Sequence, residues 1–291
     1  MAGRVCIVTG ATRGIGRAAA RRLATLGADV VVVGRDERLL DETLAELRQA
    51  SSAERVAAIR IDLASMNSIR KGAAELSRRW PAIHVLVNNA GVNVKRRTPS
   101  ADGRELTLAV NHLAPFLLTS LLAPALVQGA PSRVVNITSV FAHFGRMQLD
   151  DLELGRRAYD ATRAYTQSKL ANVMFTLELA ERMRSTGVTA NCVSPGLAAT
   201  DLMRQHWWMT APTLRRVWDR VLLTAEEAAE RVVQVATSPA LERVTGQVLS
   251  GSGKTLRIPR RAQDVDARKR LWELSAIMTA APGLPVRGPV R

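Results

Sequence analysis

The chain has 291 residues, a net charge of +15 and 36 arginines against five lysines. A chain of this length can bury about three quarters of its unfolded surface, so it needs no disulfide or metal to support a fold. The arginines are scattered rather than clustered with aromatic residues, and no nucleic-acid-binding motif accompanies them, so we expect no nucleic-acid partner. The four histidines lack the spacing of metal ligands, which disfavours a metal site.

The cysteines and the apolar segments indicate a soluble protein of a reducing compartment. Cys6 and Cys192 lie far apart in strand-like apolar runs, as core thiols do. The N-terminus shows no charged segment followed by an apolar leader, and no run of eighteen residues is entirely apolar. We therefore expect a cytoplasmic protein without a membrane span.

A glycine-rich turn lies between the first predicted strand, residues 4–9, and a predicted helix, residues 17–26. Gly10, Gly14 and Gly16 allow positive φ angles and let a pyrophosphate approach backbone N–H groups at the positive end of the helix. Their spacing differs from the commoner Gly-x-Gly-x-x-Gly fingerprint, so an ordinary loop is the alternative. In its context of strand and helix, the turn predicts a dinucleotide site that also includes Thr12, Arg13 and Ile15.

The second predicted strand, residues 29–34, is followed by Arg35. An acidic residue here would accept hydrogen bonds from the ribose of NAD, whereas an arginine pairs with the 2′-phosphate of NADP. Arg13 can supply a second guanidinium. The two arginines favour NADP as the cofactor; the alternative is that both are solvated side chains in an arginine-rich protein.

Two further predicted strands, residues 56–61 and 83–87, alternate with helices at 36–50 and 68–79. Asp62 and Leu63 end the first of these strands, where a carboxylate faces the ligand crevice of a parallel sheet and can hold the adenine amine. The second strand leads into Asn88-Asn89-Ala90-Gly91, whose small and amide residues permit a close turn beside the cofactor. This alternation predicts an α/β fold with a single doubly wound parallel sheet of the Rossmann type.

Asn111 and Pro115 lie in one predicted helix. Proline has no N–H to bond the carbonyl of the residue four positions earlier, so we expect the carbonyl of Asn111 to be freed and the helix to kink. We hypothesise that a water molecule held by this carbonyl links Asn111 to Lys169 as a proton relay. The alternative is a kink that serves packing only.

The next predicted strand, residues 134–138, ends at Ser139. Tyr165 and Lys169 follow at positions i and i+4 of a predicted helix, so both project from one face. A further predicted strand, residues 189–194, is closed by Pro195 and Gly196.

The segment from residue 201 to 223 is rich in large apolar side chains, among them Trp207, Trp208 and Trp218. A segment after a strand's carboxyl end overhangs the crevice, so we expect a helical lid at about residues 197–223 over an apolar substrate. The alternative is a helix pair packed on the core.

The last predicted strand, residues 247–250, precedes Gly251-Ser252-Gly253-Lys254-Thr255. This run fails as a phosphate-binding loop, because Val248 stands where that motif needs glycine.

In order, these motifs resemble the motif set of the short-chain dehydrogenase/reductase family over about residues 1–251. The matching motifs are Thr9-Gly10-x-x-x-Gly14-x-Gly16, Asp62, Asn88-Asn89-Ala90-Gly91, Asn111, Ser139, Tyr165-x-x-Ser168-Lys169 and Pro195-Gly196. Within the family, Asn111-His112-Leu113, Phe116-Leu117-Leu118-Thr119 and Arg270-Leu271-Trp272-Glu273-Leu274-Ser275 resemble the retinol-dehydrogenase-like branch.

The resemblance implies a catalytic tetrad. Ser139 would hold and polarise the substrate oxygen, Tyr165 would exchange a proton with that oxygen, and Asn111 completes the set. Lys169 is the fourth member, and its ammonium group favours the phenolate, so we expect a lowered pKa for Tyr165. The resemblance also implies cofactor contacts from Asn89, Ala90, Gly91, Pro195 and Gly196, and from Thr200 at the nicotinamide carboxamide.

The expected function is an NADP(H)-dependent oxidoreductase that transfers a hydride between nicotinamide and the carbonyl or alcohol carbon of a lipophilic or aromatic ketone or aldehyde. A free substrate and one bound to an acidic carrier both stay open. The alternative is a sensor or scaffold that binds NADPH without turnover. We expect a catalytic domain at residues 1–260, a C-terminal helix and tail at 261–291, and, by resemblance, a homodimer or homotetramer formed through the helix of Tyr165.

Overall fold

Seven strands form one fully parallel sheet at the centre of the protein, in a computed structural model that describes residues 1–51, 55–156, 158–196 and 223–284. The strands are β1 (Val5–Thr9), β2 (Asp29–Gly34), β3 (Val56–Arg60), β4 (Val85–Asn88), β5 (Ser132–Ile137), β6 (Val188–Val193) and β7 (Val248–Leu249). Their order is β3-β2-β1-β4-β5-β6-β7. The first three strands extend the sheet to one side of β1, and β4 to β7 extend it to the other side. A crevice therefore opens at the carboxyl ends of the neighbouring strands β1 and β4.

The helices that cover the sheet are α1 (Gly14–Thr25), α2 (Glu37–Ala50), α3 (Met66–Arg79), α4 (Leu106–Gln128), α5 (Ala161–Arg182), α6 (Ala225–Thr237) and α7 (Val265–Thr279). Polar side chains set several of the starts: Asp36 caps α2, Ser65 caps α3 and Asp160 caps α5 by accepting backbone N–H bonds. These caps explain why α2 begins one residue later than predicted and α3 two residues earlier.

Successive residues of β1 belong to opposite hydrophobic clusters. Ile7 packs in the cluster formed by α3, α4, α5 and α7, whereas Cys6 and Val8 pack in the cluster formed by α1, α2 and α6. Side chains alternate between the two faces of a strand, so a strand covered on both faces is apolar throughout. The predicted doubly wound parallel sheet is confirmed.

Several predicted boundaries need correction. The helix α1 begins at Gly14, three residues before the prediction, because the glycine turn itself forms its first turn. Residues 83 and 84 precede β4 rather than belonging to it, and Ile83 donates its N–H to the carbonyl of Ala125 in α4. The last strand is only Val248–Leu249.

The helix α4 contains an irregular turn near Pro115. Leu106–Leu108 and Ala114–Gln128 are α-helical, and Ala109–Leu113 between them form a π-helical turn. The expected irregularity beside Asn111 is thus present, as a widened turn rather than a simple bend.

Among the described helices, α4 is long and apolar enough to cross a membrane, but 89% of its apolar window is buried inside the protein. It packs against α3 and α5. Burial on several sides accounts for its apolar composition.

The C-terminal helix α7 packs on the helix that carries Tyr165. Glu178 of α5 is almost fully buried and pairs with Arg182 at 2.9 Å and with Arg268 of α7 at 3.8 Å. The Arg182 guanidinium also lies 4.5 Å from the ring centre of Trp272. The residues of α7 therefore share a core with the sheet, and they cover the helix at which the resemblance suggests a subunit contact.

Gly129 lies at the end of α4, against the chain that enters β4. A Cβ atom added there would lie 2.3 Å from the carbonyl oxygen of Ile83 and 2.8 Å from its nitrogen. We expect Gly129→Ala to lower the free energy of unfolding by about 1–3 kcal/mol, because backbone must move to admit the methyl group. Urea unfolding should show this as a lower midpoint, while Gly155→Ala, whose nearest atom is 3.8 Å away, leaves the midpoint unchanged. Equal midpoints for the two variants would contradict the prediction.

Candidate active site

A cavity of about 1010 Å³ runs along the carboxyl ends of the strands. It crosses the crevice between β1 and β4, the position at which ligands bind to open parallel sheets. The predicted site residues that line it are Gly10, Thr12, Arg13, Gly14, Ile15, Gly16, Arg35, Asp62, Leu63, Asn89, Ala90, Gly91, Ser139, Tyr165, Lys169, Pro195 and Gly196. The predicted residue Thr200 and most of the predicted lid, residues 197–222, lie outside the described part of the chain.

The glycine turn packs tightly against the turn that follows β4. Gly10 has a φ of 63°, and a Cβ atom on it would lie 2.8 Å from Cα of Ala90. A Cβ atom on Gly16 would lie 2.3 Å from Nδ2 of Asn89. That amide group donates a 2.9 Å hydrogen bond to the carbonyl of Thr9, so Asn89 joins the two turns. Only glycine fits at these close approaches.

The first turn of α1 faces the cavity without a competing side chain. Its N-cap residue, Arg13, makes no side-chain capping bond, and the first turn contains no acidic residue. The unpaired N–H groups and the helix dipole therefore favour an anion, and the residues fit the pyrophosphate of a dinucleotide.

The end of the cavity beside β2 is positively charged. Arg13 and Arg35 line it, and neither forms an ion pair with any residue that the structure describes. The carboxylate of Asp36, which lies next to them, accepts the N–H of Leu39 at 3.1 Å as the cap of α2. These two free guanidinium groups are placed to meet a phosphate.

Asp62 lies at the carboxyl end of β3. Its Oδ1 accepts the N–H of Ala64 at 2.9 Å, and its own N–H bonds the hydroxyl of Ser68 at 2.9 Å. These bonds fix the carboxylate at the cavity wall, and the contact with an adenine amine stays a prediction.

Tyr165, Lys169 and Ser139 meet at the other end of the cavity. Tyr165 is 9% exposed and Lys169 3%. The Lys169 ammonium lies 5.6 Å from the ring centre of Tyr165 and donates a 3.2 Å hydrogen bond to the carbonyl of Ile137. The hydroxyl of Ser139, just beyond β5, interacts with the phenol of Tyr165. The predicted trio is therefore assembled in one place.

The pKa of Tyr165 differs from the expectation. Burial raises it to about 12, and the nearby Ser139 hydroxyl opposes this effect. Burial also lowers the pKa of Lys169 to about 8, which weakens its hold on a proton. In the protein alone the phenol is thus the favoured form of Tyr165 at neutral pH, because burial disfavours the charged phenolate.

Asn111 lies behind the cavity wall rather than in it. It is fully buried in the π-helical turn, and its side chain bonds the N–H of Val92 at 2.7 Å and the carbonyl of Val92 at 2.9 Å. A Cβ atom on Gly91 would lie 3.4 Å from Oδ1 of Asn111 and 3.6 Å from Nζ of Lys169. Gly91 thus leaves a narrow space between these two side chains.

Sequence reasoning missed an apolar wall of the cavity. Its members follow the Asn88-Asn89-Ala90-Gly91 motif or lie on α4, and they are Val92, Val94, Leu106 and Val110. The alternation of apolar residues directly after Gly91 was the available signal. It was uninformative without the fold, because an alternating pattern does not show whether a segment faces a cavity or the core.

The match to a family model now identifies the class of the protein. The short chain dehydrogenase family model matches residues 4–210, and the chain belongs to this family.

The similar proteins place the chain in the retinol-dehydrogenase-like branch. Polyprenol dehydrogenase of Mus musculus is 40% identical over 287 residues, covering 97% of this chain and 85% of that protein. Retinol dehydrogenase 12 of Bos taurus is 39% identical over 273 residues, covering 94% and 85%. Among solved structures, the actinorhodin polyketide ketoreductase with NADPH superposes with a TM-score of 0.69 at 31% identity, covering 87% of this chain and 98% of that one.

The burial of the Lys169 ammonium predicts that this side chain lowers the stability of the folded protein. We expect Lys169→Met to raise the free energy of unfolding at pH 7 by about 1–3 kcal/mol, since it removes a buried charge and Asn172 still donates to the carbonyl of Ile137. The folded-state pKa lies below the unfolded one, so the gain should shrink as the pH rises from about 8 to 10.5. Urea unfolding across this range tests it, with the exposed Lys71→Met as control. A variant less stable than the wild type at pH 7 would contradict the prediction.

Proposed function

We propose that this protein is an NADP(H)-dependent oxidoreductase that interconverts an alcohol with a ketone or aldehyde. The meeting of Tyr165, Lys169 and Ser139 at one end of a cavity whose other end carries free arginines is the observation that carries the proposal. The family membership supports hydride transfer as the reaction.

NADP, when bound, supplies or accepts a hydride at C4 of its nicotinamide. The residues of the glycine turn would hold the pyrophosphate through backbone N–H groups, and Asp62 would hold the adenine amine. Ser139 would bind the substrate oxygen through its hydroxyl, which orients the reacting carbon. Tyr165 would donate its phenolic proton to that oxygen in reduction and accept a proton from it in oxidation.

Lys169 would influence the protonation state of Tyr165. Reduction uses the phenol, the form that burial favours, whereas oxidation needs the phenolate. A positive charge on the nicotinamide together with the Lys169 ammonium would stabilise that phenolate. The space beside Gly91, between Asn111 and Lys169, supports the hypothesis of a water that relays protons between the two.

The preference for NADP rests on the charges beside β2. Arg13 and Arg35 have no carboxylate partner among the described residues. The carboxylate of Asp36 instead accepts the N–H of Leu39 as the cap of α2. The NADPH in the similar ketoreductase structure agrees with this preference.

The substrate is proposed to be lipophilic. The apolar wall of Val92, Val94, Leu106 and Val110 would contact it. The names of the similar proteins, polyprenol dehydrogenase and retinol dehydrogenase, point the same way. A ketone on an acidic carrier is the second candidate, favoured by the net charge of +15 and by the similar polyketide ketoreductase. The cytoplasmic location and the dimeric or tetrameric state stay predictions.

The proposed reaction is tested by following NADPH oxidation with a panel of lipophilic aldehydes and aromatic ketones. We expect turnover that falls by a factor of about 100 or more in Tyr165→Phe, because the proton donor is lost. Tyr159→Phe is the control, since Tyr159 bonds Glu105 outside the trio. NADPH that binds tightly but is never oxidised with any substrate would instead support the sensor or scaffold.

The cofactor preference is tested by Arg35→Ser. We expect KM for NADPH to rise by about 10-fold or more while KM for NADH stays constant, because only NADPH carries the 2′-phosphate. Arg38→Ser is the matched control, since Arg38 lies three residues further on, in the first turn of α2, and pairs with Glu42. Equal changes for both cofactors would argue against a phosphate contact at Arg35.

A further inference from the structure

The glycine-rich run after β7 has a structural explanation that its sequence does not show. It forms a tight turn closed by bonds from Ser250 N–H to the carbonyl of Lys254 at 2.8 Å and from Gly253 N–H to the carbonyl of Ser250 at 3.0 Å. A Cβ atom on Gly251 would lie 1.8 Å from Cγ and 2.2 Å from Cδ of Arg231. The Arg231 side chain therefore packs directly against Gly251, where any larger residue would clash with it.

The far end of the Arg231 side chain reaches the turn after β6. Its Nη1 donates a 3.0 Å hydrogen bond to the carbonyl of Pro195. Gly196 follows with a φ of 96°, and a Cβ atom on it would lie 2.7 Å from Nη1 of Arg231. Glycines at both 251 and 196 thus make room for one arginine.

In the described part of the chain, the hydrogen bond of the Arg231 guanidinium goes to this turn. Within the described residues it forms no ion pair, although the preceding residue of α6, Glu230, pairs with Arg22 at 2.8 Å. Pro195 has no backbone N–H to donate, so a neighbour can form a backbone hydrogen bond with it only at its carbonyl. A hydrogen bond from a charged donor is stronger than one between neutral groups.

The position of this contact relates it to the chemistry. Strand β6 lies next to β5, so Pro195 and Gly196 line the cavity at the end that contains Ser139 and Tyr165. The glycine turn after β1 and the arginines beside β2 lie further along the sheet. A contact that holds Pro195 and Gly196 therefore acts on the nicotinamide end of the cavity and not on the adenine end.

We propose that Arg231 is a positioning residue that holds the Pro195-Gly196 turn in place as the wall of the nicotinamide end. This inference rests on the proposed function for the identity of the ligand. Pre-ordering this wall removes the cost of ordering it on binding, so its loss weakens the binding of the whole cofactor but not of the adenine half alone.

The test compares two ligands in Arg231→Met. We expect its Kd for NADPH to rise by about 10-fold, as for the loss of one hydrogen bond from a charged group, and its Kd for adenosine 2′,5′-bisphosphate to stay unchanged. Arg231→Lys keeps a charged donor and should recover part of the affinity for NADPH. Arg22→Met, which removes the ion pair between Arg22 and Glu230 of α6, should bind both ligands as the wild type does. Unchanged binding of NADPH by Arg231→Met, or an equal loss for both ligands, would overturn the proposal.

Hydrogen–deuterium exchange of the protein without cofactor separates this inference from the proposed function. The peptide that contains Gly196 should exchange several-fold faster in Arg231→Met and in Gly251→Ala than in the wild type, whichever cofactor the enzyme uses. A wild type that binds neither NADPH nor NADH would refute the proposed function and leave this readout intact. Equal exchange in the wild type and both variants would refute the role of Arg231.

Discussion

The burial of the Lys169 ammonium is the constraint on which the arrangement of this site depends. A charged group removed from water must find partners, and Lys169 bonds the carbonyl of Ile137 at the end of β5. Thr138, the next residue, donates a 3.0 Å bond from its hydroxyl to the backbone carbonyl of Lys169. These reciprocal contacts tie α5 to the carboxyl end of β5, so Tyr165, one turn earlier on α5, is brought to Ser139, two residues beyond Ile137.

The C-terminal helix supports this arrangement from outside. His112, next to Asn111, lies 2.8 Å from the hydroxyl of Ser275 in α7. That hydroxyl gives its proton to the carbonyl of Leu271, so Nε2 of His112 must be the donor in the contact. Burial lowers the pKa of His112 to about 4, so the ring is neutral and carries one N–H, at Nε2. The rings of Phe116 and Phe175 lie beside His112, and Trp272 of α7 packs against Phe116. These contacts join α7 to α4 and α5, the helices that carry Asn111 and Tyr165.

The two ends of the cavity differ in their physical character. Beside β1 and β2 it offers backbone N–H groups at the start of α1 and arginines that form no ion pair with the described residues, which suit phosphates. Beside β4, β5 and β6 it combines the apolar wall with a nearly buried phenol and ammonium. Low polarity strengthens the hydrogen bonds there, so a carbonyl oxygen between Ser139 and Tyr165 would be strongly polarised. The cavity of this short-chain dehydrogenase therefore has cationic side chains beside β2 and buried titratable groups beside β5.

The sequence by itself determined the sheet, its parallel strands and most of the residues that line the cavity. These features are local: apolar runs define strands, Gly10, Gly14 and Gly16 define the turn, and the i, i+4 spacing places Tyr165 and Lys169 on one face. Only the tertiary structure decided the pKa values of Tyr165 and Lys169, since desolvation depends on what covers a group from every side. The roles of Val92, Ser275 and Arg231 were decided in the same way, because each acts through a contact between segments that are distant in the chain, and spacing along one chain does not encode such contacts.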